Sequence, residues 1–306
     1  MKRMAMVATA VLLALTGCAT DAAVDGTPHV VVTTNILGDV VHEVAGDAAE
    51  VTTLMKPNAD PHSFEISAQE AALLQEADLV VSNGLGLEEG LQQHLDRAAS
   101  AGADMLVAGD EIDALAYSEE TAGGAPDPHF WTDPARMVDV VDALEAALVE
   151  IDGIDVGAVR DGTDAYRAEL AGLDAEMTDA FAAIPAAQRA LVTNHHVFGY
   201  LADRFDFRVV GAVIPGGTTL AAPSAADLRD LADAIDDAGV ATIFAESSQP
   251  DRLVQVLASE VGIDVDVVEL FTESLTEPGE GADTYLAMMR ANTERIAQGL
   301  TPDLTH

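Results

Sequence analysis

Short runs of apolar residues alternate along the chain with longer segments in which apolar residues recur every three or four positions. A short apolar run bounded by turn residues is typical of a buried strand, and the longer rhythm is typical of a helix. The two patterns alternate through the first half, which indicates a mainly parallel sheet flanked by helices. The predicted strands are 29–33, 51–54, 79–82 and 104–107, and the predicted helices are 35–45, 67–76, 88–99 and 133–152.

The same alternation begins again near residue 186. Two of the predicted helices carry capping signals at their starts, because Ser67 stands three residues before Glu70 and Ser224 three residues before Asp227. The second half therefore predicts another mainly parallel sheet flanked by helices. Its predicted strands are 190–193, 207–213, 241–245 and 265–268, and its predicted helices are 196–204, 224–237, 250–261 and 284–299.

A long stretch between the halves has a helical apolar rhythm from Val159 to Phe181, a charged opposite face and a proline at its end, Pro185. We interpret it as one spacer helix that joins two α/β lobes. The alternative is a helix packed on one lobe only. The predicted division is a signal peptide at 1–17, a tether at 18–28, a first lobe at 29–155, a linker helix at 156–185 and a second lobe at 186–306.

The N-terminus has the features of a secretory signal. Lys2 and Arg3 precede an apolar run over 5–15, which is shorter than the roughly 20 residues that a membrane-spanning helix needs. The run ends in Leu-Thr-Gly-Cys, which resembles the bacterial lipoprotein cleavage site and predicts a lipid on Cys18. We therefore expect an extracytoplasmic protein anchored to the cell membrane. The alternative is a plain signal peptide followed by a chance cysteine.

Composition limits the remaining possibilities. Cys18 is the only cysteine in the chain, so the sequence excludes an intrachain disulfide and a thiolate metal site. The chain has 53 acidic and 14 basic residues and a formal charge of −39, and such a surface repels nucleic acid. The acidic excess is spread along the chain, which indicates solvation of the surface. A functional carboxylate must therefore be argued from its own position.

Five polar side chains follow predicted strands, where open parallel sheets bind their ligands. In the first half these are His62 and His129; in the second half they are His195, Glu246 and Glu273. Three imidazoles and a carboxylate suit zinc, and manganese accepts imidazole although it takes oxygen more readily. The set therefore predicts a divalent-metal site, with scattered loop histidines as the alternative reading.

The histidines differ in how well they fit this site. His129 lies in DPHFWTDP, where two prolines stiffen the loop and Phe130 and Trp131 can exclude water. His195 is preferred to the neighbouring His196, because position 195 is the loop residue. The other four histidines, at helical positions or segment ends, are expected at the surface or in the core: His29, His42, His94 and His306.

Several motifs in the same order resemble the metal-receptor family of bacterial ABC importers, which includes manganese-binding lipoprotein adhesins and zinc-uptake receptors. The resemblance covers about residues 28–300 and implies two α/β lobes, joined by one long helix, with the metal between them. The motifs are DPHSFE, DPHFWTDP, VTNHHVFGY, PSAADL with IFAESS, and FTES followed by DTYLAMMRANTERIAQGL.

The resemblance implies the ligand set residue by residue. His62 matches the histidine of the first proline-histidine motif, His129 that of DPHxW, and His195 the residue after V-T-x. Glu273 stands where the family usually has aspartate, and its longer arm leaves Asp283 as a rival for the fourth contact. Three further residues are expected to lie next to the ligands: Glu246, Asp283 and Trp131.

The family match implies a monomeric receptor, not an enzyme, which delivers its metal to a permease and its ATPase. The segment before His129 lacks the histidine-rich loop of many zinc-specific members, yet the nitrogen-rich ligand set favours zinc over manganese. Two alternatives are a zinc hydrolase with Glu246 as its base and a receptor for a metal chelate. A chelate receptor would need basic or aromatic residues, in which the chain is poor. Adhesion has no support from particular residues.

Overall fold

The computed structural model describes residues 26–118, 122–214, 216–240, 242–248, 254–257 and 266–301. The predicted signal peptide, Cys18, most of the tether and His306 lie outside these ranges. So does most of the helix predicted at 250–261, of which 254–257 are helical. Within the described ranges, no helix combines the length and the apolar character that crossing a bilayer requires.

The first half folds around a four-stranded parallel sheet with the order β2-β1-β3-β4. Strands β1 and β3 lie in the centre and are buried almost throughout, because each is a run of aliphatic residues. The strands are β1 His29–Val32, β2 Glu50–Thr53, β3 Leu79–Ser82 and β4 Met105–Val107, and the helices are α1 Asn35–Ala45, α2 Ala68–Glu76, α3 Gln92–Ala101 and α4 Pro134–Leu148.

The second half repeats this topology with the sheet order β6-β5-β7-β8, again parallel. The prediction of two mainly parallel sheets flanked by helices is therefore confirmed. The strands are β5 Ala190–Thr193, β6 Arg208–Ala212, β7 Thr242–Glu246 and β8 Asp266–Leu270, and the helices are α6 Gly199–Phe205, α7 Ala225–Ala238 and α8 Tyr285–Leu300.

One helix of 27 residues, α5 Val156–Ala182, joins the halves, and at 1.5 Å per residue it is about 40 Å long. Its start packs so closely on α1 that a Cβ on Gly162 would lie 2.5 Å from the carbonyl oxygen of Val44. Near its end, the ring of Phe181 lies 5.2 Å from that of Phe205 and 5.0 Å from that of Phe207. The helix therefore contacts both halves, while the exact division into lobes stays a prediction.

Local capping signals place several helix ends. Ser67 and Ser224 each form a capping box, with Glu70 and Asp227 respectively. Gly239 closes α7 in the left-handed conformation, with φ of 62°, which glycine adopts at little cost.

Two predicted helices begin later than expected. The helix predicted from residue 88 starts at Gln92, because the Glu88 carboxylate turns inward. It accepts hydrogen bonds from the Thr33 hydroxyl at 2.7 Å and from the backbone N–H groups of Asn83 at 2.6 Å and Gly84 at 3.0 Å. The helix predicted from residue 196 starts at Gly199. Residues 195–198 instead form a turn, in which the N–H of Val197 donates to the carbonyl of His195 at 3.0 Å.

Candidate metal centre

Four side chains that are remote in sequence converge where the carboxyl ends of the two sheets face each other. His62 follows β2, His195 follows β5 and Glu273 follows β8. His129 precedes a single 3-10 turn at Phe130–Thr132. All four are at most 1% exposed, and one donor atom of each lies within 4.8 Å of all the others. The structure thus brings together all four predicted ligand residues.

The spacing of these donors matches the size of a small cation. The Nε2 atom of His129 lies 3.4 Å from that of His62 and 3.3 Å from that of His195. Glu273 Oε1 lies 3.1 Å from Nε2 of His62, 3.1 Å from that of His129 and 3.2 Å from that of His195. Tetrahedral bonds of about 2.0–2.1 Å to zinc imply donor–donor distances of about 3.3–3.4 Å. Five donor pairs are thus close to this spacing.

His129 is oriented by Asp127. One carboxylate oxygen of Asp127 accepts the backbone N–H of His129 at 3.0 Å and lies 2.7 Å from its Nδ1. The hydroxyl of Tyr117 donates to the same oxygen at 3.0 Å. Burial lowers the pKa of His129, but the Asp127 carboxylate outweighs it, and the pKa is raised. A proton held on Nδ1 leaves the lone pair of Nε2 directed at the centre.

His195 is oriented in the same way by Glu246, the last residue of β7. The Nδ1 atom of His195 is hydrogen-bonded to Glu246 Oε1, and both side chains are buried. Burial lowers the pKa of His195, but the nearby carboxylates of Glu246 and Glu273 raise it well above its usual value. Glu246 therefore lies behind a ligand residue rather than among the four converging donors.

His62 has a different environment. Its backbone N–H donates to Asp60 Oδ1 at 2.9 Å, which fixes the loop, and its Nε2 faces the centre. Its Nδ1 is buried and has no hydrogen-bond partner among the residues that the structure describes. In the part of the chain that the structure describes, no carboxylate supports the Nδ1 atom of His62 as Asp127 and Glu246 support those of His129 and His195.

Glu273 is ionised and supplies the negative charge of the donor set. Burial raises the pKa of its carboxyl group, but His195 and the other two imidazoles beside its Oε1 hold the pKa well below its usual range. Its second oxygen, Oε2, is buried and has no hydrogen-bond partner among the described residues.

The other residues considered from the sequence lie outside the donor cluster. Asp283 Oδ2 accepts the backbone N–H of Gly279 at 2.8 Å, and His196 contributes its carbonyl oxygen to Tyr117 at 3.2 Å. The ring of Trp131 lies against that of His129, with centroids 5.2 Å apart, and its Nε1 donates to the carbonyl of Thr272 at 2.8 Å. Trp131 therefore forms part of the buried wall of the site.

Three residues that support the site were missed in the sequence: Asp127, Tyr117 and Asn35. Asp127 stands two positions before His129, so its place in the D-P-H motif was a usable local signal. Tyr117 gave no local signal, because its partners Asp127, His129 and His196 lie 10, 12 and 79 positions away. Asn35 gave none, because its partners come from a distant segment. The side chain of Asn35 binds Ser274 and Leu275, which lie 239 and 240 positions further along the chain.

Comparison with known proteins identifies relatives of this arrangement. Residues 30–299 match the family model of the periplasmic zinc-uptake complex component A. The chain is 32% identical to the zinc-binding protein TroA of Treponema pallidum over 287 residues, which are 92% of this chain and 91% of that protein. It is 30% identical to the manganese-binding lipoprotein MntA of Bacillus subtilis (strain 168) over 294 residues, or 94% and 95% of the two chains.

The fold agrees with these matches. The solved structure of the periplasmic zinc-binding protein TroA from Treponema pallidum superimposes with a TM-score of 0.84 at 29% identity. The alignment covers 90% of this chain and 99% of that one. A third relative, the iron-binding protein YfeA of Yersinia pestis, is 28% identical over 88% of this chain and 85% of its own. The names of these relatives therefore include three different metals.

Proposed function

This chain belongs to the family of the periplasmic zinc-uptake complex component A, and on that premise we propose that it captures Zn²⁺ outside the cytoplasm. It is a substrate-binding component of an ABC importer, not an enzyme, and it works with a membrane permease and an ATPase. The metal is its cargo. The zinc preference and the four ligands are the parts of this function that we propose.

The convergence of four buried donors carries the proposal. His62, His129, His195 and Glu273 come from loops of both sheets, and five of their donor pairs lie 3.1–3.4 Å apart. Burying an ionised carboxylate among imidazoles costs free energy unless its charge is compensated. A divalent cation at the centre would compensate this charge and use all four donors.

Zinc fits this donor set better than manganese does. The relatives are named for zinc, manganese and iron, so membership of the family does not choose the metal. Three imidazole nitrogens and one carboxylate in a compact set suit the tetrahedral preference of zinc. Manganese favours six ligands, most of them oxygen. We therefore propose that zinc is the physiological cargo and that manganese binds more weakly.

The same geometry argues against the alternative functions. A catalytic zinc ion keeps an open position for water, whereas four protein donors close a tetrahedral shell. The donor residues are at most 1% exposed, so the donor atoms themselves are closed to a bulky chelate or a hydrolytic substrate. A hydrolase would need the Glu246 carboxylate as its general base, but this carboxylate is hydrogen-bonded to His195 Nδ1.

We propose further that Cys18 carries a lipid and anchors the receptor to the membrane as a monomer. The Leu-Thr-Gly-Cys sequence ahead of a small, polar segment supports this, as does the relative named a lipoprotein. Cleavage before Cys18 would leave a short tether before β1. Metabolic labelling with a radioactive or clickable fatty acid should label the wild type and leave Cys18→Ser unlabelled.

The identity of the cargo is tested by measuring metal binding to the mature chain after a chelator has removed its metal. Isothermal titration should show one Zn²⁺ per chain, and Zn²⁺ should displace bound Mn²⁺. His129→Ala should abolish tight binding, because it removes a central donor. His42→Ala is the matched control, since His42 is exposed on α1. Absence of saturable zinc binding, or equal binding by His129→Ala, would refute the proposal.

A further inference from the structure

The loop that carries Glu273 belongs to the second sheet by sequence, but it is bonded to the first half of the molecule. The carbonyl of Thr272 accepts a hydrogen bond from Trp131 Nε1 at 2.8 Å. The N–H of Leu275 donates to Asn35 Oδ1 at 3.0 Å, and its carbonyl accepts from the N–H of Asn58 at 2.9 Å. Glu273 therefore lies between two points at which the loop is attached to the opposite half.

Asn35 makes the most extensive of these attachments. It is the first residue of α1 and is 7% exposed. Its Nδ2 donates to Ser274 Oγ at 2.8 Å and to the carbonyl of Lys56 at 3.2 Å, while its Oδ1 accepts from Leu275. One amide thus joins the loop of Glu273 to the segment after β2, which leads to His62.

We propose that Asn35 is a positioning residue for the metal centre, and that it holds Glu273 beside His62 and His129. This inference rests on the proposed role of the four donors. By position in the sequence, two of the four ligand residues belong to each half of the chain. The contacts that hold them divide them differently. Three donors, those of His62, His129 and Glu273, are fixed by contacts with the first half. His195, whose ring is held by Glu246, is fixed by the second half.

The expected effect follows from the precision that metal sites require. Binding geometry has to be held to within about 0.5 Å, and a freed loop can move its carboxylate further than that. Removing outer hydrogen-bonding partners of metal ligands typically weakens metal affinity by about 10–100-fold. Asn35→Ala removes three hydrogen bonds but leaves every metal donor in place. We therefore expect zinc affinity to fall about 10–100-fold, mainly through faster dissociation.

The test is a double-mutant cycle with Glu273, because coupling shows whether Asn35 acts through that carboxylate. Zn²⁺ affinity and dissociation rate are measured by competition with a chromophoric chelator for wild type, Asn35→Ala, Glu273→Ala and the double variant. The substitution Asn35→Ala should weaken zinc binding when Glu273 is present. It should change zinc affinity little when Glu273 is replaced by alanine. The Co²⁺ absorption spectrum should shift in Asn35→Ala towards that of Glu273→Ala.

Gln75→Ala is the matched control. The Gln75 amide is exposed on α2 and donates to the carbonyl of Ala71 in the same helix at 3.2 Å, so this variant should bind zinc like the wild type. If Asn35→Ala does not fold, Asn35→Asp keeps the acceptor for Leu275, and it should lose part of the affinity. Wild-type affinity in either folded Asn35 variant, or an equal loss with and without Glu273, overturns the inference. Absence of zinc binding by the wild type would instead refute the proposed function.

Discussion

Asp127 offers the sharpest test of how the protein orients His129, one of the four proposed metal ligands. One of its oxygens accepts both the backbone N–H and the Nδ1–H of His129, and also the hydroxyl of Tyr117, at 2.7–3.0 Å. Asp127→Asn preserves the shape of the side chain and one acceptor oxygen but removes the charge. The imidazole then becomes a weaker electron donor, while its position changes little.

The magnitude can be set from these contacts. Loss of a carboxylate behind a metal-bound imidazole typically costs about 10–100-fold in affinity, which is about 1.4–2.7 kcal/mol. Asp127→Asn belongs near the lower limit, because the amide oxygen can still accept from His129. Asp127→Ala belongs near or beyond the upper limit, because it removes the acceptor of the buried backbone N–H of His129 and leaves its Nδ1 with Tyr117 alone. An unsatisfied buried group costs about 1–3 kcal/mol.

The assay is competition for Zn²⁺ between the chelator-stripped protein and an indicator of known affinity, at fixed pH and ionic strength. Asp113→Asn is the control, because its carboxylate is 98% exposed and lies 3.8 Å from Arg136. The control should bind like the wild type. Affinity of Asp127→Asn within twofold of the wild type would show that the carboxylate does not tune His129, and the reasoning would fail.

Two further changes test the packing around the site. Burial raises the pKa of Asp39 from 3.8 to about 6, so the folded state prefers the protonated form and stability is lost as pH rises through 6. Asp39→Asn should therefore stabilise the metal-free protein at pH 8 by up to about 3 kcal/mol in urea unfolding, and the gain should vanish near pH 4. An equal gain at both pH values would contradict this. A Cβ on Gly217 would lie 2.3 Å from the ring of Tyr117, so Gly217→Ala should displace this ring and weaken zinc binding measured by competition. Gly172→Ala is the control and should bind like the wild type, because a Cβ there would have no atom within 4 Å. Unchanged zinc affinity of Gly217→Ala would contradict the packing argument.

The strand and helix positions were predictable because their causes are local. Strands β3 and β5 and helix α1 begin and end at the predicted residues. Ser67 and Ser224 also cap the expected helices. The late start at Gln92 depends instead on a distant contact, the hydrogen bond from Thr33 to Glu88. The late start at Gly199 follows the turn at 195–198. Apolar periodicity carries no information about a side chain that turns inward to bind the backbone.

The site was predictable only in part, for the same reason. Strand-end positions and family resemblance pointed to four residues, which the structure brings together. The bonds that orient them were not visible in the sequence. Asn35 reaches a loop 240 positions away, and Tyr117 acts through Asp127. Asparagine and tyrosine at such positions look like ordinary polar residues until the fold supplies their partners.

The packing also decides how a captured ion can leave. Helix α5 buries Leu173, Met177 and Phe181 in one continuous apolar core with residues of both halves. Separating the halves as rigid bodies would expose such side chains at about 1.5–3 kcal/mol each. Releasing the Glu273 loop from Asn35 and Trp131 breaks a few hydrogen bonds worth about 0.5–1.5 kcal/mol each. Movement of the Glu273 loop therefore costs less free energy than separation of the two halves. We expect release of the metal to begin at this loop.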